Sequence, residues 1–186
     1  RIGTATALRA KAFGLHVVGY DPHVSRGTEI ALGVQRVESL QALLEVSDIV
    51  SLHCPLTEET RGMINAETLR QMKPGAIVIN TARGAIVDVP ALLEALRDKV
   101  IAGAALDVLP VEPPAPDDPI SRAYADRSDP LTGERLLLTP HAAWSSPESV
   151  ADARRLSVET AMLRLREGRI RNLVNRPEDI LVPAAE

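Results

Sequence analysis

The sequence predicts an α/β fold, an open and doubly wound parallel sheet whose strands are joined by crossover helices. Three observations predict it. Short apolar runs alternate with segments whose apolar residues recur at helical spacing. The runs are near-continuous rather than alternating, the pattern of parallel strands buried on both faces. The unusual polar residues, Asp21, His53-Cys54, Thr81-Ala82-Arg83, Asp107 and His141, each follow the end of such a run. That edge of a parallel sheet is where ligands sit.

Each element has its own local reason. Ala5, Leu8, Ala12 and Phe13 give a first helix its apolar face, and Gly14 ends it. His16 to Tyr20 is a strand stopped by Asp21-Pro22, and Val34 to Val37 is a brief second one. Ser39 caps a helix carrying Leu40, Leu43 and Leu44, and Asp48 to His53 forms a strand that Pro55 terminates. Asn65 opens a short helix with Leu69 and Met72, closed by Lys73-Pro74-Gly75. Ala76 to Asn80 is the next strand, Asp88 caps a helix with Leu92, Leu93 and Leu96, and Ala102 to Val108 is a strand of small apolar residues. Pro113, Pro114, Pro116, Pro119 and Pro130, interleaved with Asp, then mark an excursion. It suits either a tolerated surface insertion or a lid or interface segment. Leu136 to Leu138 resumes the sheet. Ser146 and Pro147 open a long helix with Ala153, Leu156, Thr160 and Leu163 on one face, and Gly168 ends it. Arg176 to Glu186 lacks periodicity.

Composition narrows the function. With 186 residues, 45% hydrophobic and 25% charged, the chain suits one well-packed core with at most a small appendage, and disorder, collagen and coiled coil are excluded. No apolar run approaches the roughly 20 residues of a membrane span. A net charge of -4 leaves no electrostatic footprint for nucleic acid or anionic lipid. The single cysteine, Cys54, excludes an internal disulfide and a cysteine-clustered metal site, and it fits a reducing, cytoplasmic compartment; no metal is expected. Aromatic residues make up only 2%, so the core must be built from Ala, Val, Leu and Ile.

Several residues could carry chemistry. Gly3 opens a helix and Asp21 ends the following strand 18 positions later. This is the spacing between the last glycine of a dinucleotide fingerprint and the acid that accepts ribose hydroxyls, although Asp-Pro is also an ordinary strand exit. Arg83, among small residues beyond a strand end, suits a bidentate grip on a carboxylate; a surface salt bridge is the alternative. Of the 4 histidines, His16 and His23 have structural positions, and His53 is a hydrogen-bonded residue at a strand boundary. His141 differs, lying between Thr139-Pro140 and Ala142-Ala143-Trp144. Its imidazole can exchange a proton near neutral pH, and Glu112 is an available carboxylate to orient it. No Gly-x-Ser-x-Gly elbow supports a serine nucleophile, and nothing supports Cys54 as one.

Taken together, these segments resemble a known family. Arg1-Ile2-Gly3 resembles the end of a Gly-x-Gly-x-x-Gly loop. His53 to Thr60, Lys73-Pro74-Gly75-Ala76, Asn80 to Gly84, Ala105 to Val108 with Glu112-Pro113, and Thr139-Pro140-His141 resemble the D-isomer-specific 2-hydroxyacid dehydrogenases, in the right order up to about Asn175. The Ala10 to Gly14 run, the position of Cys54 and His141-Ala142-Ala143-Trp144 resemble most the C-terminal-binding-protein branch. The resemblance implies a Rossmann-type NAD-binding unit at 1–145, a helix and return segment at 146–175 leading to a substrate domain, and a tail at 176–186. It implies that the first strand, the first two fingerprint glycines and most of the substrate domain lie outside this sequence, which leaves neighbouring strands without a ladder partner. Such a fragment is expected to fold marginally and to bind NAD weakly.

The resemblance also implies roles. Arg83 would hold the carboxylate and carbonyl of a 2-keto acid, His141 would serve as acid and base, and Glu112 would support His141. Arg1, Ile2 and Gly3 would line the pyrophosphate, and Asp21 the adenosine ribose. Cys54, Pro55, Leu56, Thr57 and Thr60 would lie at the adenine side. Thr81, Ala82, Arg83, Asp107, His141, Ala143 and Trp144 would surround the nicotinamide. The expected partner is a small 2-keto or 2-hydroxy acid, in a protein that is a homodimer. The excursion between Glu112 and His141 looks longer than in close relatives. Two functional classes stay open: an NAD-dependent dehydrogenase, and an NAD(H)-sensing dimeric corepressor or scaffold that binds peptide partners.

Overall fold

The computed structural model describes residues 1–126 and 134–171. Residues Arg1–Ala143 form one compact unit, and the chain from Trp144 onward forms a second. In the first unit the order is α1 (Ile2–Ala12), β1 (Val18–Gly19), α2 (Thr28–Leu32), β2 (Gln35–Arg36), α3 (Leu40–Val46), β3 (Ile49–Leu52) and α4 (Ala66–Arg70). There follow β4 (Ile77–Asn80), a 3-10 turn at Gly84–Ile86, α5 (Val89–Arg97), β5 (Gly103–Leu106), α6 (Pro119–Ala125) and β6 (Leu136–Leu138). The second unit holds α7 (Pro147–Glu167).

Among the described residues all the strand pairs are parallel, as the sequence predicts, but they form two sheets rather than one: β1-β2, and β3-β4-β5-β6. No ladder joins β1 to β3. The four-stranded sheet is in register, so Val50, Val78 and Ala104 lie across from one another on one face, with Leu136 beside Ala104. That face packs with Leu69, Ile86, Leu92, Leu93, Leu96 and Ile120 into a single core.

The expectation of strands buried on both faces holds for β5, where Gly103, Ala104 and Leu106 are buried, but not for β3, β4 and β6. β3 and β4 alternate, with Val50, Leu52, Val78 and Asn80 buried while Ile49 and Ile77 are exposed. Leu137 of β6 is also exposed. The side chains of successive strand residues point to opposite faces, and here the helices that fill the core cover only one of them. Phe13, expected on the apolar face of the first helix, is 86% exposed, and no residue of α1 is buried.

The caps are where local sequence places them. Ser39, Asn65, Asp88 and Ser146 each accept a backbone N–H from the first turn of their helix. Asn65 with Thr68, and Ser146 with Ser149, complete reciprocal capping boxes. The Pro-rich excursion is not bare loop. Asp118 caps α6 and Pro119 begins it, and the helix buries Ile120 and Ala123 in the core. Pro130 of that excursion, and the tail from Arg176, lie outside the described residues. Among the described residues no helix is long and apolar enough to cross a membrane.

Candidate active site

The register sets the site. Leu52, Asn80, Leu106 and Leu138 lie side by side at the carboxyl ends of β3 to β6. The next residue along each strand is therefore His53, Thr81, Asp107 and Thr139, and two further backbone bonds extend the row. Asp107 N–H donates to the Asn80 carbonyl at 2.9 Å, and Thr139 N–H donates to the Leu106 carbonyl at 3.0 Å. Strand spacing of about 4.8 Å thus brings three of the predicted segments to one edge.

Beyond β4, the fully buried Asn80 shapes the loop that presents Arg83. Its side-chain oxygen accepts Ala82 N–H at 2.9 Å, and its amide donates to the Arg83 carbonyl at 2.9 Å. Arg83 itself is exposed, donating to the Ala82 carbonyl at 2.7 Å, and it has no carboxylate partner among the described residues. Gly84 follows because nothing else fits. A Cβ there would lie 1.9 Å from the Leu109 carbonyl carbon, so the Arg83 loop is seated directly on the Leu109-Pro110 backbone.

That backbone leads to Glu112. Leu109 N–H donates to one Glu112 oxygen at 2.7 Å, and the other oxygen meets His141 Nδ1 at 2.5 Å. Partial burial pushes the Glu112 carboxyl up, but the Leu109 amide and the His141 ring together hold it below the ordinary carboxylate range. With Nδ1 engaged, Nε2 is the nitrogen that His141 can offer to a substrate. His141 occupies the left-handed region at φ 50, a conformation that costs a non-glycine residue about 1–2 kcal/mol. Its turn is tight, with His141 N–H donating to the Thr139 carbonyl at 3.0 Å.

Asp107, 5% exposed, reaches the same turn. It accepts Thr139 Oγ1–H at 2.5 Å and Ala142 N–H at 2.9 Å on one oxygen, and Ala143 N–H at 3.0 Å on the other. Burial alone would raise the Asp107 carboxyl. The Thr139 hydroxyl, the two amides and the His141 ring outweigh it and hold the group below the ordinary range.

A cleft of about 530 Å³ opens at the other end of this edge, lined by Arg1, Ile2, His53, Cys54, Pro55, Leu56, Thr81, Ala82 and Arg83. The first turn of α1 begins at Ile2, beside this lining. Gly3 packs against His53, where a Cβ would meet that side chain at 3.1 Å. His53 is half-buried with Nε2 bonded to Ser51 Oγ at 2.9 Å, and burial holds its imidazole below the ordinary value. Burial likewise pushes the Cys54 thiol up, away from the reactive thiolate. A close approach at a glycine and a cleft of this size fit a dinucleotide. Arg1 and Ile2 would hold its pyrophosphate.

The other expected residues do not line the cleft, although the Asp21 charge reaches Cys54 and adds to the rise of its thiol. Asp21 is not among the cleft residues, and its carboxylate accepts His23 N–H at 2.9 Å. Thr57 and Thr60 brace their own loop, with the Thr60 hydroxyl donating to the Pro55 carbonyl at 2.7 Å and accepting Thr57 N–H at 2.8 Å. Trp144 belongs to the second unit and is exposed. Sequence reasoning assigned no role to Asn80, Gly84 or Thr139. Asn80 did carry a signal, a polar residue ending the apolar run Ile77-Val78-Ile79 with the same strand parity as buried Val78.

Known proteins resemble this chain in sequence and in fold. The profile of the D-isomer specific 2-hydroxyacid dehydrogenase NAD-binding domain matches residues 1–143. The glyoxylate reductase of Korarchaeum cryptofilum is 46% identical over 177 residues, covering 95% of this chain and 50% of that protein. C-terminal-binding protein 1 of Caenorhabditis elegans is 42% identical over 155 residues, covering 83% of this chain and 20% of that protein. The structure of D-lactate dehydrogenase with NAD+ from Lactobacillus jensenii superposes with a TM-score of 0.77 at 31% identity, covering 94% of this chain and 53% of that one. The chain thus spans about half or less of the length of these relatives. It belongs to the D-isomer specific 2-hydroxyacid dehydrogenase family, and its residues 1–143 correspond to that family's NAD-binding domain.

Proposed function

We propose that the protein containing this domain interconverts a 2-keto acid and a D-2-hydroxy acid. The observation that carries the reading is the Glu112–His141 pair, set at the same sheet edge as an exposed Arg83 without a carboxylate partner among the described residues. When bound, the nicotinamide cofactor would supply the hydride chemistry, as NADH for reduction and as NAD+ for oxidation. Arg83 binds the substrate carboxylate through its planar guanidinium and orients the carbonyl. His141, protonated, gives its Nε2 proton to the carbonyl oxygen, and it removes that proton in the reverse direction. Glu112 fixes the ring through Nδ1 and stabilises its cationic form. Asp21 is assigned to the adenosine ribose, and Cys54 to Thr60 to the adenine side. The same reading makes the complete protein a cytoplasmic homodimer.

The likeness to C-terminal-binding protein 1 favours a second reading, a dinucleotide-dependent scaffold for protein partners. Both are tested by following NADH absorbance with the complete protein over a panel of 2-keto acids, with His141→Ala as control. Turnover abolished by His141→Ala supports the dehydrogenase. No turnover on any acid, or turnover indifferent to that substitution, refutes it and leaves the scaffold.

A further inference from the structure

We propose that His23 is a positioning residue for the dinucleotide, the link through which the loop after β3 holds the Asp21 carboxylate at the adenosine side. The inference rests on the reading of Asp21 as the ribose acid and of Cys54 to Thr60 as the adenine side. His23 makes two contacts in different directions. Its backbone N–H donates to an Asp21 carboxylate oxygen at 2.9 Å, and its ring Nε2 lies 3.1 Å from a carboxylate oxygen of Glu59. The second contact spans 36 positions of sequence and joins the loop after β1 to the loop after β3. The other Asp21 oxygen takes no hydrogen bond among the described residues, which leaves it to accept a ribose hydroxyl.

The contact stands alone in what it connects. β1 and β2 pair with each other, and no ladder joins them to β3. Among the described hydrogen bonds, His23 to Glu59 is the one that links residues 1–38 to the rest of the first unit. The other ties of the loop after β1 stay on its own side, with Arg36 donating to the Val24 carbonyl at 2.9 Å and Arg26 to Glu38 at 3.1 Å. The loop nevertheless stands beside the cleft, since the Asp21 charge reaches Cys54 in the cleft lining.

Both ends of the link are held. The ring of Pro22 fixes the backbone just before His23. Glu59 sits in a turn closed by the Thr60 hydroxyl, which donates to the Pro55 carbonyl at 2.7 Å, and by Arg61 N–H, which donates to the Thr57 carbonyl at 2.9 Å. Displacement of one loop is therefore passed to the other through the imidazole and the carboxylate. The two side chains are 77% and 62% exposed, so the pair adds little to folding. Its effect falls on the relative position of two surface loops, a motion that costs little and that a bound dinucleotide has to arrest. A weak link is enough for that.

The experiment uses the complete protein, with NADH and ADP-ribose as probes. His23→Ala keeps the backbone amide and removes only the ring. It should raise the Kd of NADH about 3-fold and that of ADP-ribose by the same factor, because the two share the adenosine half. With glyoxylate as substrate, the NADH KM should rise in step while kcat stays at least at the native value. Glu59→Ala should weaken NADH equally, and the double variant should be no weaker than either single one. Native Kd values in His23→Ala overturn the proposal, as do a loss confined to NADH, a fall in kcat, or losses that multiply in the double variant. Thermal melts of the same variants should match the native chain; a melting temperature that falls together with binding means a folding defect and also overturns it. If glyoxylate is not turned over, the Kd values still read the link, and that outcome counts against the dehydrogenase reading alone.

Discussion

The region up to α3 and the region after it use similar residues to opposite effect. None of residues 1–43 is buried, and Ile2, Leu8, Phe13, Leu15 and Ile30 lie exposed along α1, α2 and their connections. From Leu44 onward a continuous core assembles, with Leu44, Ile64, Leu92, Leu96, Ile101 and Ile120 wholly inaccessible. The strands differ in the same way. β1 and β2 pair over two residues each, whereas β3, β4 and β5 pair over four. Helical periodicity makes α1, but burial needs a layer to cover it. α5 has that layer in the sheet and in α4 and α6, and it buries six of its nine residues. Apolar content alone therefore does not identify a core; the neighbouring layer does.

The sharpest way to break this contrast is a pair of truncations. Leu92→Ala should cost about 2–5 kcal/mol, because it empties a fully packed site. Leu8→Ala, at a position 48% exposed, should stay within about 0.5 kcal/mol. Urea unfolding of both variants reads the difference, and equal losses would show that the first region has a core of its own. Next, Gly84→Ala should lose about 1–3 kcal/mol by driving a methyl into the Leu109 carbonyl, and it should loosen the Leu109–Glu112 bond. Thermal unfolding, with amide exchange at Leu109, checks both parts.

A smaller effect is set by pH. The Asp107 carboxyl is depressed in the folded state, so the unfolded chain binds a proton more readily and Asp107 contributes stability above the ordinary carboxylate range. That contribution is lost as pH falls through the folded value. The melting-temperature gap between the native chain and Asp107→Asn should be widest near neutrality and should narrow in acid; a gap constant with pH would contradict it. Smallest of all, His23→Ala in the first region should change stability by no more than about 0.5 kcal/mol. Its partner Glu59 lies 3.1 Å away, and both side chains are well exposed. A larger loss in a thermal melt would mean that this exposed region is more cooperative than its burial suggests.

What could be read in advance follows the range of the interactions. Caps depend on three or four consecutive residues, so Ser39, Asn65, Asp88 and Ser146 were legible. So were the strand-end positions of Arg83 and His141. α2 was not anticipated, because its five residues carry too little periodicity; its signal was the pair of left-handed glycines, Gly27 and Gly33, at its two ends. The exposure of Ile49, Ile77 and Leu137 was not legible either, since an apolar run is the same string whether one face is covered or two.

The sequence by itself determined the order and type of the elements other than α2 and α6, their parallel pairing, the membership of the family and the edge at which chemistry gathers. Those follow from periodicity, caps and turn residues, which act over a few positions. Only the tertiary structure decided which face of the sheet is covered, that Gly84 rests on the Leu109 backbone, and that Glu112 reaches His141, 29 positions away in sequence, at 2.5 Å. It also decided where the Asp107 carboxylate points. Such contacts are made between segments far apart in the chain, and strand register, which no local pattern encodes, sets which of them meet.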